Sequence, residues 1–224
     1  MGTGLIRHPA KYSDEFIPVF ARLLENSDKV LDPFAGTGKI GKIKELGFSG
    51  MIYANDIEPE WIELGRNCCD VISAIDAEKL PTIYPPGMFD AICTSPTYGN
   101  RMADHHNAKD GSFRNTYTHC LGRELTEENT GKMQYGEQYR EKHERIYRAI
   151  IPLLKDGGMF VLNVSNHIRK GREVDVASFH ISCLEANGLT LTKDIHVPTK
   201  RCRFGANADK RVEYEHIYVL RREV

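Results

Sequence analysis

The segment from Lys29 to Gly38 constrains the fold of this chain more than any other part of the sequence. It begins as an apolar run, ends in a glycine-rich turn, and is followed by Ile40, Ile43 and Leu46 at helical spacing. Such a succession is typical of the first strand and helix of an open parallel α/β sheet. Glycine allows the sharp turn and the approach of a ligand to the amides at the helix start. We therefore expect an α/β domain with a ligand site after its first strand.

The glycine turn matches two nucleotide-binding motifs in part. A P-loop is excluded because Ile40 stands where that motif requires Ser or Thr. A dinucleotide site stays open on spacing, since Gly36, Gly38 and Gly41 form Gly-x-Gly-x-x-Gly and Asp56 follows roughly 20 residues on. An acid at that place accepts both ribose hydroxyls of any nucleoside cofactor, or caps a helix. The position of Asp56 therefore does not discriminate between cofactors.

Strand and helix patterns alternate along the rest of the chain. A helix is predicted from Phe16 to Leu24, with Ser13 as its cap, and another from Tyr139 to Leu154. A long last strand without a helix before it should run antiparallel. The strands predicted after the first are Met51–Asn55, Val71–Ile75, Phe89–Cys93, Met159–Val164, Leu189–Val197 and Tyr214–Leu220.

Residues 100–137 interrupt this alternation, being polar and rich in glycine and aromatic residues with little apolar periodicity. So long an irregular excursion from a compact sheet is usually functional, and we expect a substrate-facing insertion. The 224 residues otherwise predict a single domain, 1–224. We expect no membrane span and no secretory signal, and hence a cytoplasmic protein.

Cysteine and histidine spacing does not predict a metal site. The six cysteines lack a Cys-x-x-Cys pair, which argues against a zinc ribbon or a disulfide framework. His105, His106, His119 and Cys120 are close in sequence but match no standard zinc motif. We therefore predict no bound metal. The net charge of −1 also means that any nucleic-acid surface must be a local patch.

A second motif, Ser95-Pro96-Thr97-Tyr98, follows the predicted strand Phe89–Cys93. It resembles the Ser/Asp/Asn-Pro-Pro-Tyr/Phe/Trp motif of methyltransferases that act on exocyclic amines of nucleobases, with Thr97 in place of the second proline. The turn that starts at Asp32 likewise resembles the Asp-Pro-Phe-x-Gly-x-Gly cofactor motif of the same family. The chain is therefore similar to the S-adenosylmethionine-dependent DNA amino-methyltransferases that modify cytosine N4 or adenine N6, of the compact kind that bacteria and bacteriophages carry.

This resemblance implies a class I methyltransferase fold: a Rossmann-like sheet of seven strands, the last antiparallel, with helices on both faces. It implies S-adenosylmethionine as cofactor, DNA as partner with RNA as an alternative, and catalysis by Ser95, Pro96 and Tyr98. The residues expected at the cofactor are Lys11, Ser13, Asp32, Phe34, Gly36, Thr37, Gly38, Asp56, Ile57, Asp76 and Ala77. Those expected at the substrate are Thr97, Asn100, Arg101, Lys170, Arg172, Lys200, Arg201 and Arg203.

The leading serine resembles cytosine-specific members, so N4-cytosine methylation in a bacterial cell or phage-infected host is the first hypothesis. N6-adenine and RNA amine methylation are alternatives, and a non-catalytic binding protein is the alternative of another class. Protein glutamine methylation fits less well with Ser95 and with the two basic loops predicted at 168–172 and 200–211. Attack through a cysteine on the cytosine ring is excluded because Cys93 follows Ile92 rather than proline. Thr97 is expected to loosen the catalytic loop.

Overall fold

The computed structural model describes residue 8 and residues 13–99, 116–169, 171–199 and 214–223. Seven residues of the predicted site lie outside the described residues: Lys11, Asn100, Arg101, Lys170, Lys200, Arg201 and Arg203.

The described elements follow the predicted α/β order. The strands are β1 Lys29–Asp32, β2 Met51–Asn55, β3 Val71–Ser73, β4 Phe89–Thr94, β5 Leu154–Val164, β6 His167–Arg169, β7 Arg172–Val174, β8 Leu189–Pro198 and β9 Tyr214–Arg222. The α-helices are α1 Phe16–Leu24, α2 Pro59–Ile62, α3 Tyr117–Leu121, α4 Glu137–Ile150 and α5 Ala177–Ala186. The 3-10 helices are Lys39–Leu46, Glu63–Gly65, Ala77–Thr82, Thr130–Lys132 and Ile151–Leu153.

Seven of the described strands form one sheet in the order β3-β2-β1-β4-β5-β9-β8. The first five of these run parallel, and β9 is antiparallel to both β5 and β8. The strand order reverses between β1 and β4, which is where open α/β sheets hold their ligands. The predicted seven-stranded sheet with its last strand antiparallel is confirmed.

The sheet buries side chains on both faces. One face carries Leu31, Ile92 and Phe160 against α4 and α5. The other face carries Val30 and Ala91 against α1 and the 3-10 helix Lys39–Leu46. Alternate residues of each strand therefore serve different layers, as the pleat requires. Burial on both sides explains why β1, β4 and β5 each contain consecutive apolar residues, which are Val30–Leu31, Ala91–Cys93 and Met159–Leu162.

Several local predictions need correction. The helix after the glycine turn is a 3-10 helix, Lys39–Leu46. The Ser13 side chain makes no capping bond to α1, whose N-cap position is Glu15, although the Ser13 carbonyl accepts from the Phe16 amide at 3.1 Å. The third strand ends at Ser73, because Ile75 is held by the Asn55 side chain instead of a strand partner.

The predicted helix from Tyr139 to Leu154 begins at Glu137, ends at Ile150 and continues only as a 3-10 helix to Leu153. Proline at position 152 has no amide proton with which to prolong an α-helix. The basic segment after β5 is a two-stranded hairpin, β6–β7. Among the described residues, no helix is long and apolar enough to cross a membrane.

Candidate active site

A cavity of about 390 Å³ opens at the carboxyl edge of the sheet, between the turn after β1 and the turn after β4. These strands are direct neighbours, so their two turns face each other across the point where the strand order reverses. Twelve residues of the predicted site line the cavity: Ser13, Phe34, Gly36, Thr37, Asp56, Ile57, Asp76, Ala77, Ser95, Pro96, Thr97 and Tyr98. The structure therefore brings the two sequence motifs into one site.

Gly36 and Asp56 form the centre of the cofactor side, by which we mean the ends of β1, β2 and β3. The Gly36 amide donates to Asp56 Oδ2 at 2.9 Å, and the Glu58 amide donates to Asp56 Oδ1 at 2.9 Å. Gly36 has a φ of 54°, and a Cβ there would lie 3.1 Å from the His8 ring. Burial raises the pKa of Asp56 to about 7.

Asn55, which the sequence analysis missed, ties the cofactor side together. Its side chain is buried, donates to the carbonyls of Pro33 and Ile75, and accepts from the Ser73 hydroxyl and the Ile75 amide. One amide thus fixes the loops after all three strands. His8 also lines the cavity and packs edge-on against Trp61 at 4.3 Å between ring centroids.

Asp32 and Gly38 were predicted to contact the cofactor, and neither lines the cavity. Asp32 is fully buried beneath the turn, where its Oδ1 accepts from the Thr94 hydroxyl at 2.7 Å and the Phe34 amide at 3.1 Å. Gly38 has a φ of 68°, and a Cβ there would lie 2.8 Å from Gly65 Cα. Both residues therefore shape the turn from below, and Asp32 joins it to the end of β4.

Asp76 lines the cavity, but its carboxylate is already engaged. Oδ2 accepts from Lys142 Nζ at 2.6 Å and Oδ1 from the Glu78 amide at 3.2 Å. The Lys142 side chain is almost completely buried between Asp76 and Glu78. A ligand at this position meets an aspartate that α4 holds in place.

Ser95 and Tyr98 face the cavity from the target side, by which we mean the ends of β4 and β5 and the start of β9. The Tyr98 hydroxyl lies 3.1 Å from Ser95 Oγ and donates to Asn163 Oδ1 at 3.4 Å. The Ser95 hydroxyl must then donate to the Tyr98 oxygen, which leaves Ser95 lone pairs to accept hydrogen from a ligand. Asn163 is buried and donates to the His216 carbonyl at 3.0 Å.

Thr97, in the place of the family's second proline, is held rather than loosened. Its hydroxyl donates to the Thr130 hydroxyl at 2.8 Å, and its carbonyl accepts from the Tyr139 hydroxyl. The Gly99 carbonyl, two residues further on, accepts from the Tyr135 amide at 2.7 Å. Thr130 and Tyr135 of the insertion, together with Tyr139 of α4, therefore fix the loop that follows β4.

A buried chain of hydrogen bonds runs from α5 and α4 to this loop. Burial lowers the pKa of His180 well below its usual value, so the ring is neutral and carries one N–H. Because Tyr139 donates to Thr97, His180 Nε2 must donate to the Tyr139 oxygen at 2.8 Å, and Nδ1 accepts from the Tyr147 hydroxyl at 2.6 Å. The loop carbonyl is thereby connected to the helix layer.

Glu58 anchors the described part of the insertion. Its fully buried carboxylate accepts from Arg123, the Thr126 amide and hydroxyl, and Asn129 Nδ2. The insertion reaches the cavity with Tyr117, Glu128, Asn129 and Thr130. Sequence analysis also missed Asn163, Ser165, Asn166, His167 and Glu215, which line the target side. Arg172 is exposed on β7 and does not line the cavity.

Two curated proteins resemble part of the chain. A tRNA (guanine(10)-N2)-dimethyltransferase of Pyrococcus abyssi is 33% identical over 94 residues, which cover 37% of this chain and 28% of that protein. The ubiquinone/menaquinone biosynthesis C-methyltransferase of Neisseria meningitidis is 34% identical over 90 residues, or 37% of this chain and 35% of that protein. The matches thus span about a third of each relative. No protein-family model matches the chain.

The likeness to solved structures extends over nearly the whole chain. A 1,6-didemethyltoxoflavin-N1-methyltransferase of Burkholderia thailandensis, solved with S-adenosylhomocysteine, matches with a TM-score of 0.51 and 16% identity over 94% of this chain and 77% of that one. TrmN from Thermus thermophilus matches with a TM-score of 0.53 and 19% identity over 92% of this chain and 48% of that one. A putative S-adenosylmethionine-dependent methyltransferase from Listeria monocytogenes matches with a TM-score of 0.53 and 11% identity over 93% of this chain and 97% of that one. The chain has the fold of the class I S-adenosylmethionine-dependent methyltransferases.

Proposed function

We propose that the chain is an S-adenosylmethionine-dependent methyltransferase that methylates the exocyclic amine of a DNA base, with cytosine N4 as the first candidate. The observation that carries the proposal is the shared cavity: the glycine turn and Asp56 form one wall, and Ser95, Pro96 and Tyr98 form the other. The fold and the named activities of the relatives support methyl transfer. The amine target and the DNA substrate rest on the Ser-Pro-x-Tyr motif.

The cofactor side suits a nucleoside with a cationic sulfur. Asp56 offers a carboxylate at the place where class I folds hold the ribose, and Phe34 and Ile57 add apolar surface within the same wall. The bound cofactor supplies an activated methyl group on its sulfonium. The residues of this chain would hold that group opposite Ser95, since the two turns are on adjacent strands.

The target side suits an amine attached to an aromatic ring. Such an amine is a weak nucleophile because its lone pair is delocalised into the ring. Acceptors at its two hydrogens, Ser95 Oγ and the Pro96 carbonyl, would draw the nitrogen toward tetrahedral geometry and aim its lone pair at the methyl group. The Tyr98 ring would stack on the base, and its bond to Asn163 sets the ring position.

The proton leaves after methyl transfer in this scheme. A serine hydroxyl is too weak a base to remove an amine proton beforehand. Methylation generates a cationic nitrogen whose acidity is high enough for loss of the proton to water. A paired base would have to leave the duplex at a cost of about a few kcal/mol before it reaches this cavity.

The Pyrococcus relative favours a second candidate, because its name specifies the exocyclic N2 amine of a guanine in tRNA. The same acceptors would serve a base amine in either nucleic acid. Incubation of the full chain with labelled S-adenosylmethionine and, separately, single-stranded DNA, duplex DNA and tRNA tests both candidates. Nucleoside mass spectrometry then identifies the product: N4-methylcytosine, N6-methyladenine or an N2-methylated guanosine.

Ser95→Ala, incubated in parallel, is the control that assigns the transfer to this site. It should reduce transfer by about a hundredfold and leave the cofactor affinity measured by calorimetry unchanged. If only tRNA is methylated, the substrate is RNA and not DNA. Cofactor binding without transfer to any of the three nucleic acids would favour a non-catalytic binding protein. Absence of cofactor binding would reject the proposal as a whole.

The basic segments supply a further test of the nucleic-acid substrate. Arg172 lies on β7 of the hairpin after β5. Three further basic residues of the predicted substrate site, Lys170, Arg201 and Arg203, are known from the sequence. Neutralising these four residues should flatten the dependence of nucleic-acid affinity on salt, because fewer counterions are released on binding. If the salt dependence does not change, neither the hairpin nor the segment with Arg201 and Arg203 contacts the nucleic acid.

A further inference from the structure

Asp194, His196 and His216 form a cluster on one face of the β8–β9 ribbon, which we call the His–Asp cluster. His196 pairs directly with His216 in the antiparallel register, and Asp194 stands two residues before His196. Residues two apart on a strand share a face, as do residues directly opposite on the neighbouring strand. The register alone therefore directs all three side chains to the same side of the sheet.

The donor atoms of the cluster are nearly at the spacing that a metal ion requires. His216 Nδ1 lies 2.8 Å from Asp194 Oδ1, and His196 Nε2 lies 3.4 Å from Asp194 Oδ2. One ligand atom from each residue lies within 4.8 Å of the others. Tetrahedral zinc with bonds of about 2.0 Å places its ligand atoms about 3.3 Å apart. Small side-chain rotations would close the remaining gap without a change in the backbone.

Neighbouring rings hold the two imidazoles. Tyr214 stacks on His196 with 4.9 Å between centroids and planes 8° apart, and Tyr218 stacks on His216 at 5.2 Å and 4°. These contacts restrict ring rotation and so lower the ordering cost of binding an ion. The histidine and aspartate side chains remain 26–55% exposed, so an ion reaches them from solvent.

We propose that the His–Asp cluster binds a divalent transition-metal ion, preferentially Zn²⁺, through one atom of each side chain. Two imidazoles and one carboxylate suit zinc, whereas Mg²⁺ and Ca²⁺ prefer oxygen ligands. Sequence analysis predicted no metal site from the spacing of the cysteines and of His105, His106, His119 and Cys120, and it did not consider positions 194, 196 and 216, which form no recognised spacing motif. Strand register, which sequence spacing does not show, brings them together.

The position of the cluster gives the ion a structural role. His216 pairs with Val164 at the end of β5, so the cluster lies near the edge of the sheet that carries the cavity. It joins the two strands at the base of the connection from 199 to 213, whose sequence includes Lys200, Arg201 and Arg203. An ion there would fasten the ends of that basic connection. This inference does not depend on the proposed methyl transfer.

Zinc titration of the full, chelator-treated and reduced chain tests the proposal. Calorimetry should show a single zinc ion bound per chain, and zinc should raise the melting temperature. His196→Ala, His216→Ala and Asp194→Asn should each weaken zinc binding by at least about tenfold. Cobalt substitution should give ligand-field bands without a thiolate charge-transfer band, since none of the proposed ligands is a cysteine.

His119→Ala is the matched control, because His119 belongs to the other histidine-rich segment and its ring Nδ1 is bonded to Thr116 Oγ1 at 2.8 Å. This variant should bind zinc as the unmodified chain does. Circular dichroism without metal should show that all four variants fold. Three results would overturn the proposal: no zinc binding below millimolar concentration, binding that survives His196→Ala and His216→Ala, or binding lost in His119→Ala.

Discussion

The two sides of the cavity are held by contacts of very different sequence separation. On the cofactor side, Asn55 and Asp56 reach partners 20–22 residues away, at Pro33, Gly36 and Ile75. These partners lie at the ends of adjacent parallel strands, so consecutive βαβ units bring them together. The centre of the cofactor side, around Asn55 and Asp56, is therefore assembled by one continuous stretch of the chain, whereas Asp76 at its rim is also held by Lys142 of α4.

On the target side, the loop that follows β4 depends on distant segments. Thr97 and Tyr98 contact Thr130, Tyr139 and Asn163, which follow them by 33, 42 and 65 residues. None of these partners is part of the sequence motif that contains the loop. Changes near the loop should therefore affect target binding and turnover, and they should leave the cofactor side intact. The predictions below test this separation, from the largest expected effect to the smallest.

Tyr98→Ala should have the largest effect, a loss of turnover of about a hundredfold or more. It removes the ring proposed to stack on the base, worth about 1–3 kcal/mol, and the hydroxyl that fixes Ser95. S-adenosylmethionine affinity should not change. Tyr98→Phe keeps the ring and should lose only about tenfold. Steady-state kinetics separates the two variants, and equal losses would show that the ring does not act by stacking.

Asp56→Ala should produce the opposite pattern. Loss of a charged acceptor for the ribose hydroxyls is expected to weaken cofactor binding by about 1.5–3 kcal/mol, roughly 10- to 150-fold. Calorimetry with S-adenosylmethionine measures this loss. If the substitution does not change the affinity, Asp56 does not contact the cofactor, and the assignment of the cofactor side is wrong.

The pH dependence of cofactor binding sharpens the same prediction. Because burial raises the pKa of Asp56 to about 7, the carboxyl is mostly protonated below that pH and mostly ionised above it. The ionised form is the stronger acceptor, so affinity should rise between about pH 6 and about pH 8. Asp56→Asn cannot titrate and should flatten the profile. A profile that is flat in the unmodified chain would contradict this interpretation.

Tyr139→Phe should have a smaller effect that is confined to the target side. The change removes the hydroxyl that joins His180 to the Thr97 carbonyl, at a cost of about 1–3 kcal/mol of folding stability. Turnover should fall about three- to tenfold with cofactor affinity unchanged. Tyr147→Phe is the matched control, since it also loses a buried bond to His180 but does not contact the loop. Denaturation should show similar destabilisation in both variants, and kinetics should show lower turnover only in Tyr139→Phe. Equal turnover in the two variants would show that the hydrogen bond from Tyr139 to the Thr97 carbonyl does not affect turnover.

The same contrast explains how far the sequence could predict this molecule. The sheet and its antiparallel last strand follow from apolar runs, which are local patterns, and the twelve cavity residues were expected from the resemblance to a known methyltransferase family. Asn55 was missed because a polar residue at a strand end carries no signal of its partners. Asn163 and Glu215 were missed because β5 and β9 pair only in the folded chain. Asp32 and Gly38 were misplaced because a motif shows which residues form a turn but not which of them face the ligand.

Thr97→Val should have the smallest effect, because it removes one neutral hydrogen bond and preserves shape. The bond to Thr130 is worth about 0.5–1.5 kcal/mol, so stability should fall by that amount and turnover by less than about threefold. Thr130→Val should give a similar loss, and the double variant should be little less stable than either single one, since both changes delete the same bond. Urea denaturation of the four proteins completes the cycle. Additive losses would show that the two hydroxyls stabilise the protein independently, and Thr97 would then not be the residue that ties the catalytic loop to the insertion.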